Sequence, residues 1–298
     1  MTPALSQGTL LALADIAERA ALSAGRIISE RRRTDVAPRH KSVGDSEASQ
    51  IVTDVDHLAQ DAILALLEPT RATYDLALLT EESTDDGSRL HKPAFWCIDP
   101  LDGTRAFVTD TPGFSVSIAL IARDATPLIG IVYDPVAGVT YRAVRNHGAY
   151  RDQRRMQLPA LDPRQPLSLR TDFSFQGDHR LPATLSGLEQ LAHRLGLPGS
   201  VIEYRTGGVI NACGVLENAN YCYFKYPRSG DSGGSLWDYA ATACLFDEVG
   251  ACASDIRRER MDLNREDSTF MNHRGLLFAA NDRVAQGIAE LAANLVDT

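Results

Sequence analysis

The chain predicts a mixed α+β to α/β fold in two lobes. Three patterns predict it: an amphipathic helix near the start, a run of closely spaced apolar strands between residues 76 and 144, and strand-helix alternation after residue 167. From Leu10 to about Arg32, the residues Leu10, Leu13, Ala14, Ala17, Ala20, Ala21 and Ile28 recur at intervals of three and four. Basic residues close this stretch, where they complement the helix dipole. Thr34 to Gln50 is polar and aperiodic, reads as a loop or hairpin, and contains Lys41. Val55 to Leu67 is the second helix, capped by Thr53 and expected to stop before Pro69.

Strands follow at Leu76 to Thr80, Phe95 to Ile98, Phe114 to Ala122, Leu128 to Tyr133 and Val139 to Val144, separated by short turn sequences. Links this short favour a largely antiparallel sheet. The proline-rich stretch from Leu158 to Pro166 marks the boundary between lobes 1–160 and 161–298. Beyond it the expected order is strand Leu167 to Arg170, helix Pro182 to Leu195, strand Ser200 to Arg205, helix Gly208 to Glu217 and strand Tyr221 to Tyr226. A helix Asp238 to Val249, strands Ala251 to Ile256 and Gly275 to Ala280, and a helix Asp282 to Val296 complete the chain.

Composition narrows the function. With 298 residues, 44% apolar and 23% charged, the chain is long enough for one large or two medium cores. A net charge of -9 argues against a nucleic-acid backbone or an anionic membrane as partner. It admits a small anionic substrate, because bound divalent cations reverse the local potential. The five cysteines are odd in number and form no Cys-x-x-Cys pair, so they read as buried thiols in a reducing compartment. Asp15 and Glu18 interrupt the first apolar stretch before it can act as a signal or span, which places the protein in the cytoplasm. The seven histidines show no metal-ligand spacing, which argues against a zinc enzyme.

The chemistry concentrates in Trp96-Cys97-Ile98-Asp99-Pro100-Leu101-Asp102-Gly103-Thr104. Two carboxylates at a strand end, with Pro100 fixing the backbone, let Asp99, the Leu101 carbonyl and Asp102 surround one hard cation. Gly103 lets the main chain approach an anion, and Thr104 offers a hydroxyl to a water or a phosphate oxygen. A hairpin turn explains Asp102-Gly103 alone but leaves Asp99-Pro100 and Thr104 unaccounted for. Calcium-loop spacing is absent, and the Asp-x-Asp-Gly-Thr phosphatases have one residue fewer between their acids. Glu81-Glu82 ends the Leu76 to Thr80 strand, and Asp238 is placed to be a helix N-cap, a metal ligand or both. Gly207-Gly208 precedes a helix, either as a plain turn or as a start whose amides meet phosphate or sugar oxygens.

Taken in order, Val52-Thr53-Asp54-Val55-Asp56, Glu81-Glu82, Asp99 to Thr104 and Trp237-Asp238 resemble the inositol monophosphatase superfamily of magnesium-dependent, lithium-sensitive phosphomonoesterases. The resemblance implies a layered α-β-α-β-α sandwich, a cytoplasmic enzyme that is often a homodimer, and a site holding two or three Mg²⁺ ions. It carries metal-ligand roles to Glu81, Asp99, Leu101, Asp102 and Asp238. Catalytic roles go to Glu81, Thr104 and Asp56, the last holding the threonine and the attacking water. Gly103, Thr104, Gly207 and Gly208 would meet substrate, and Lys41 matches a lysine near a third metal position. Tyr226-Pro227-Arg228 resembles the bacterial 3'(2'),5'-bisphosphate nucleotidase branch, with Arg228 on a second phosphate. The leading substrate is therefore such a nucleotide, with inositol 1-phosphate or a sugar phosphate as the alternative. A non-catalytic metal or phosphometabolite sensor is the alternative class, and loss of an acid would mark it; every expected acid is present.

Overall fold

Alanine-rich packing begins at α1 (Gln7–Arg31), which Ser6 caps by accepting the Thr9 amide at 3.2 Å. The structure is a computed structural model and describes residues 5–32, 39–40, 51–52, 54–230 and 233–296. Lys41 and Thr53, and with them the expected third-metal lysine and helix cap, lie outside these residues. β1 (Arg39–His40) pairs antiparallel with β2 (Ile51–Val52).

The second helix departs from expectation. α2 (Asp54–Tyr74) runs through Pro69 instead of stopping before it. A proline here removes one intrahelical hydrogen bond and costs about 3 kcal/mol. The turn beyond it is held from outside: Trp96 donates to the Thr70 hydroxyl at 2.9 Å, and Thr70 donates to the Leu67 carbonyl at 2.6 Å. Burial of Ile63, Leu67 and Thr70 on one face adds to that anchor.

Seven strands form the first sheet in chain order: β3 (Ala77–Thr80), β4 (Ala94–Asp102), β5 (Ser115–Ala122), β6 (Pro127–Asp134), β7 (Val139–Val144), β8 (Gly148–Arg151) and β9 (Arg154–Arg155). All neighbours are antiparallel except β3 and β4, whose parallel register pairs Thr80 with Ile98. A five-residue helix, α3 (Thr104–Val108), follows β4 and is too short to show a period in sequence.

The second sheet has the order β11-β10-β12-β14-β13, built from β10 (Leu167–Thr171), β11 (Ser200–Tyr204), β12 (Tyr221–Lys225), β13 (Cys252–Ser254) and β14 (Leu276–Ala279). β10 runs parallel to both β11 and β12, because α4 (Leu181–Leu195) and α5 (Gly208–Glu217) make the crossovers. α6 (Leu236–Val249) and α7 (Asp282–Val296) complete the helices.

Three buried clusters define five layers. α1 and α2 pack on one face of the first sheet around Trp96, Ile98 and Ile118. α5 and α6 lie between the sheets, where Phe95, Tyr239, Phe246 and Phe278 share one core. α4 and α7 cover the far face of the second sheet around Leu169, Leu188 and Ile288. α6 reads apolar nearly all round because it is sandwiched between two sheets. The result is the α-β-α-β-α sandwich.

Candidate active site

An irregularity in β4 creates the site. In an uninterrupted strand Asp99 and Asp102 are three apart and point to opposite faces. Here Asp99 pairs with Ser117 and Asp102 with Ser115, so three steps on β4 match two on β5. This bulge, at the Pro100-Leu101 step, restores an even count and turns both carboxylates to one side. The Leu101 amide donates to Asp99 Oδ1 at 3.0 Å, which fixes that side chain.

Other elements bring their acids to the same place. Asp56 sits in the first turn of α2 and is 3% exposed, and Glu81 follows directly on β3 with its amide donating to the Ile98 carbonyl. Asp238 comes from α6, where it is not the N-cap expected from sequence. Ser235 takes that place, and Asp238, three residues on, accepts the Ser235 amide at 2.5 Å. The helix begins two residues early because Ser235 and Asp238 form a capping box. Among the described residues, Asp99, Asp102 and Asp238 each present a carboxylate oxygen within 4.8 Å of the other two.

The backbone around Gly113 and the start of α5 meet over glycine. Gly103 and Gly207 have φ of +81° and +85°, and a Cβ on Gly207 would lie 1.7 Å from the Gly113 carbonyl oxygen. That closeness lets the start of α5 reach Asp102, whose oxygens accept the Val209 amide at 3.0 Å and the Gly208 amide at 3.3 Å. The Gly208 amide, expected to meet substrate, is therefore engaged by Asp102, since a helix N-terminus takes the nearest carboxylate. Thr104 donates to the Leu101 carbonyl at 3.2 Å, not to Asp56 as the resemblance suggested, because a hydroxyl in a first turn reaches back three residues. Both lone pairs on the Thr104 oxygen remain available to accept.

Crowding and burial raise the acids of the cluster, a repulsion that a bound cation would relieve. Burial, then the charges of Glu81, Asp102, Asp238 and Asp56, hold Asp99 well above the ordinary carboxylate range. Asp102 is raised by burial and by Asp238, against the opposing bonds from Val209 and Gly208. Burial and Glu81 push Asp238 up to about 7. Oxygen donors confined in this way fit Mg²⁺, which takes about six oxygens and relieves the repulsion. With no ion bound, the folded protein holds protons on these acids that the unfolded chain, with carboxyl pKa values of about 3.9, has released. Metal-free stability should thus fall as pH rises from about 4 through 7. Thermal melts in EDTA should show this fall, and Mg²⁺ should raise the midpoint more at pH 8 than at pH 5; an opposite slope would contradict the raised values.

Arg228, expected on a second phosphate, has main-chain partners of its own. The charge of Arg228 bears on Asp178, and its amide donates to the Asn272 carbonyl at 2.9 Å. The Asn272 side-chain amide donates in turn to the Arg228 carbonyl at 3.2 Å, and Arg228 lines one small cavity with Lys225 and Gly233. Residues not singled out in sequence stand nearer the acids. Asp172 raises both Asp102 and Asp238, while Lys225 lowers Asp238 and pairs with Asp172 at 2.7 Å. The available signal was a lysine ending the otherwise apolar strand Tyr221-Cys222-Tyr223-Phe224.

A model of the inositol monophosphatase family matches residues 10–297. The Nus factor SuhB of Haemophilus influenzae is 32% identical over 81% of this chain and 84% of its own length. An inositol-1-monophosphatase of Synechocystis is 28% identical over 98% of this chain and 92% of its own. A 3'(2'),5'-bisphosphate nucleotidase CysQ of Aggregatibacter actinomycetemcomitans is 27% identical over 78% and 82%. In fold, the inositol monophosphatase from Anabaena superposes with a TM-score of 0.68 at 20% identity, covering 96% of each chain.

Proposed function

The chain belongs to the inositol monophosphatase family, and on that premise we propose that it is a Mg²⁺-dependent phosphomonoesterase acting on a small phosphorylated metabolite. The observation that carries this is the meeting of Asp99, Asp102 and Asp238 within 4.8 Å beside Glu81 and Thr104. Glu81, Asp99, the Leu101 carbonyl, Asp102 and Asp238 would hold the ions, two or three by the family pattern. Bound Mg²⁺ supplies Lewis acidity toward the phosphate oxygens and lowers the pKa of a water.

The remaining roles fall to the chain itself. The Thr104 oxygen accepts a hydrogen bond from the attacking water, and Glu81 orients the same water for attack in line with the ester oxygen. The amides of Gly103 and Thr104 face the phosphate oxygens as the charge on them shifts. Asp56 supports the arrangement from the start of α2. The candidates for the leaving group are a 3'(2'),5'-bisphosphate nucleotide, inositol and a sugar, and relatives named for the first two stand at similar identity.

Several relatives are named as Nus factors, so turnover is the point to test. The experiment is release of inorganic phosphate from a panel of phosphomonoesters in Mg²⁺ and in EDTA. Release confined to Mg²⁺, and inhibited by Li⁺, supports the reading. No release from any ester by folded, Mg²⁺-binding protein would replace it with a sensor.

Thr104→Val is expected to slow turnover by about a hundredfold while leaving Mg²⁺ affinity nearly unchanged, because the hydroxyl serves the water. Calorimetry beside phosphate release checks this; equal losses in both would make Thr104 structural.

A further inference from the structure

The first two turns of α2 hold the chain turn that carries Glu81. Gln60 is 6% exposed and stands one helical turn after Asp56, on the same face. Its side-chain carbonyl accepts the Thr80 hydroxyl, and its amide donates to the Ser83 hydroxyl at 3.2 Å. One neutral side chain thus bonds the residues on either side of Glu81-Glu82. The Glu81 amide donates to the Ile98 carbonyl at 3.2 Å, next to Asp99, which fixes the main chain from the β4 side. His57, also from α2, places Nε2 3.6 Å from Glu82 Oε2, and the Glu82 side chain is 5% exposed. The two glutamates are therefore sorted. Glu82 is turned toward His57, while the charge of Glu81 bears on Asp99 and Asp238.

We propose that Gln60 is a positioning residue: by bonding Thr80 and Ser83 it fixes the Thr80-Glu81-Glu82-Ser83 turn so that Glu81, and not Glu82, faces the metal site. The inference rests on Glu81 as a Mg²⁺ ligand, as in the phosphomonoesterase reading. A turn held by its main chain alone leaves two adjacent acids free to exchange places, and two side-chain bonds remove that freedom. An amide suits the task because it offers an acceptor and a donor together, and a hydroxyl can meet either. Outer partners of this kind hold a metal ligand in the orientation that the ion needs.

The test measures Mg²⁺ affinity by calorimetry, kcat and KM at saturating Mg²⁺, and the melting midpoint in EDTA, for wild type, Gln60→Met, Gln60→Glu and Ser83→Ala. Methionine keeps the length of the side chain but makes neither bond. It should lower Mg²⁺ affinity and kcat by about tenfold each, with KM changed by less than about threefold. Gln60→Glu, whose carboxylate accepts from both hydroxyls, should restore both values to within about threefold of wild type. Ser83→Ala removes one of the two bonds at an exposed position, so it tests the same turn where Gln60→Met does not fold. It should cost about threefold in Mg²⁺ affinity. Wild-type Mg²⁺ affinity in Ser83→Ala and in every Gln60 variant that folds, whatever the midpoint, would make Gln60 structural and overturn the inference. A Gln60→Glu protein no better than Gln60→Met would overturn it too. A wild type that binds Mg²⁺ yet hydrolyses no ester would overturn the phosphatase reading alone, since the affinities still decide the role of Gln60.

Discussion

Asp102→Asn is expected to keep the fold and lose turnover by on the order of a thousandfold. The substitution preserves volume but removes a charge from the metal cage, and metal stabilisation of a transferring phosphoryl group amounts to several kcal/mol. Asp102 also ties the end of β4 to the start of α5, accepting the Val209 and Gly208 amides. Asn retains one acceptor for them and sets an NH₂ against the other, at a cost of about 1 kcal/mol. Relief of buried repulsion opposes that cost, since Asp102 is raised by burial and by Asp238. In EDTA the variant should therefore melt near or above wild type, while Mg²⁺ no longer raises its midpoint. Wild-type phosphate release, or wild-type Mg²⁺ affinity, would remove Asp102 from the metal site.

Gly207→Ala is expected to do comparable damage through the backbone. At φ +85° a side chain is strained, and its Cβ would stand 1.7 Å from the Gly113 carbonyl oxygen and 3.2 Å from Asp102 Oδ2. Neither neighbour is the end of a flexible side chain that can swing away freely, so the backbone around Gly113 and the start of α5 must separate locally. A loss above about 3 kcal/mol follows, together with a collapse of activity, because α5 is pushed off Asp102. Gly138→Ala isolates the clash: Gly138 has φ +68° with nothing within 4 Å, so only the left-handed penalty of about 1–2 kcal/mol applies. Urea unfolding of both variants makes the comparison, and equal losses would show that the Gly207–Gly113 contact carries no energy.

Much of this was legible because the controlling patterns are local. The α1 stripe, the strands from Val139 to Val144 and from Leu167, and the helices Gly208–Glu217 and Asp282–Val296 follow from periodicity and turn residues. The helix through Pro69 was not legible, because Trp96 holds its last turn from another element. Asp238 was recognisable as an acid at a helix start, yet its place three residues after the cap depends on Ser235, which closes a run rich in glycine and serine. The acids of the site were readable as an ordered set. That Asp99 and Asp102 share a side required the bulge, which needs the β5 partner to be seen. Lys225 and Asp172 lie 53 residues apart on β12 and just past β10, and only the parallel pairing of those strands brings them together.

The central claim is that these carboxylates gather divalent cations around a phosphate, and crystals grown with Mn²⁺ and inorganic phosphate test it by anomalous diffraction. The account predicts anomalous peaks within ligand distance of Asp99, Asp102 and Asp238, with phosphate oxygens against them and the Gly103 and Thr104 amides facing the same anion. Mn²⁺ bound only by other side chains, with the three carboxylates hydrogen-bonded to one another as neutral acids, would contradict it.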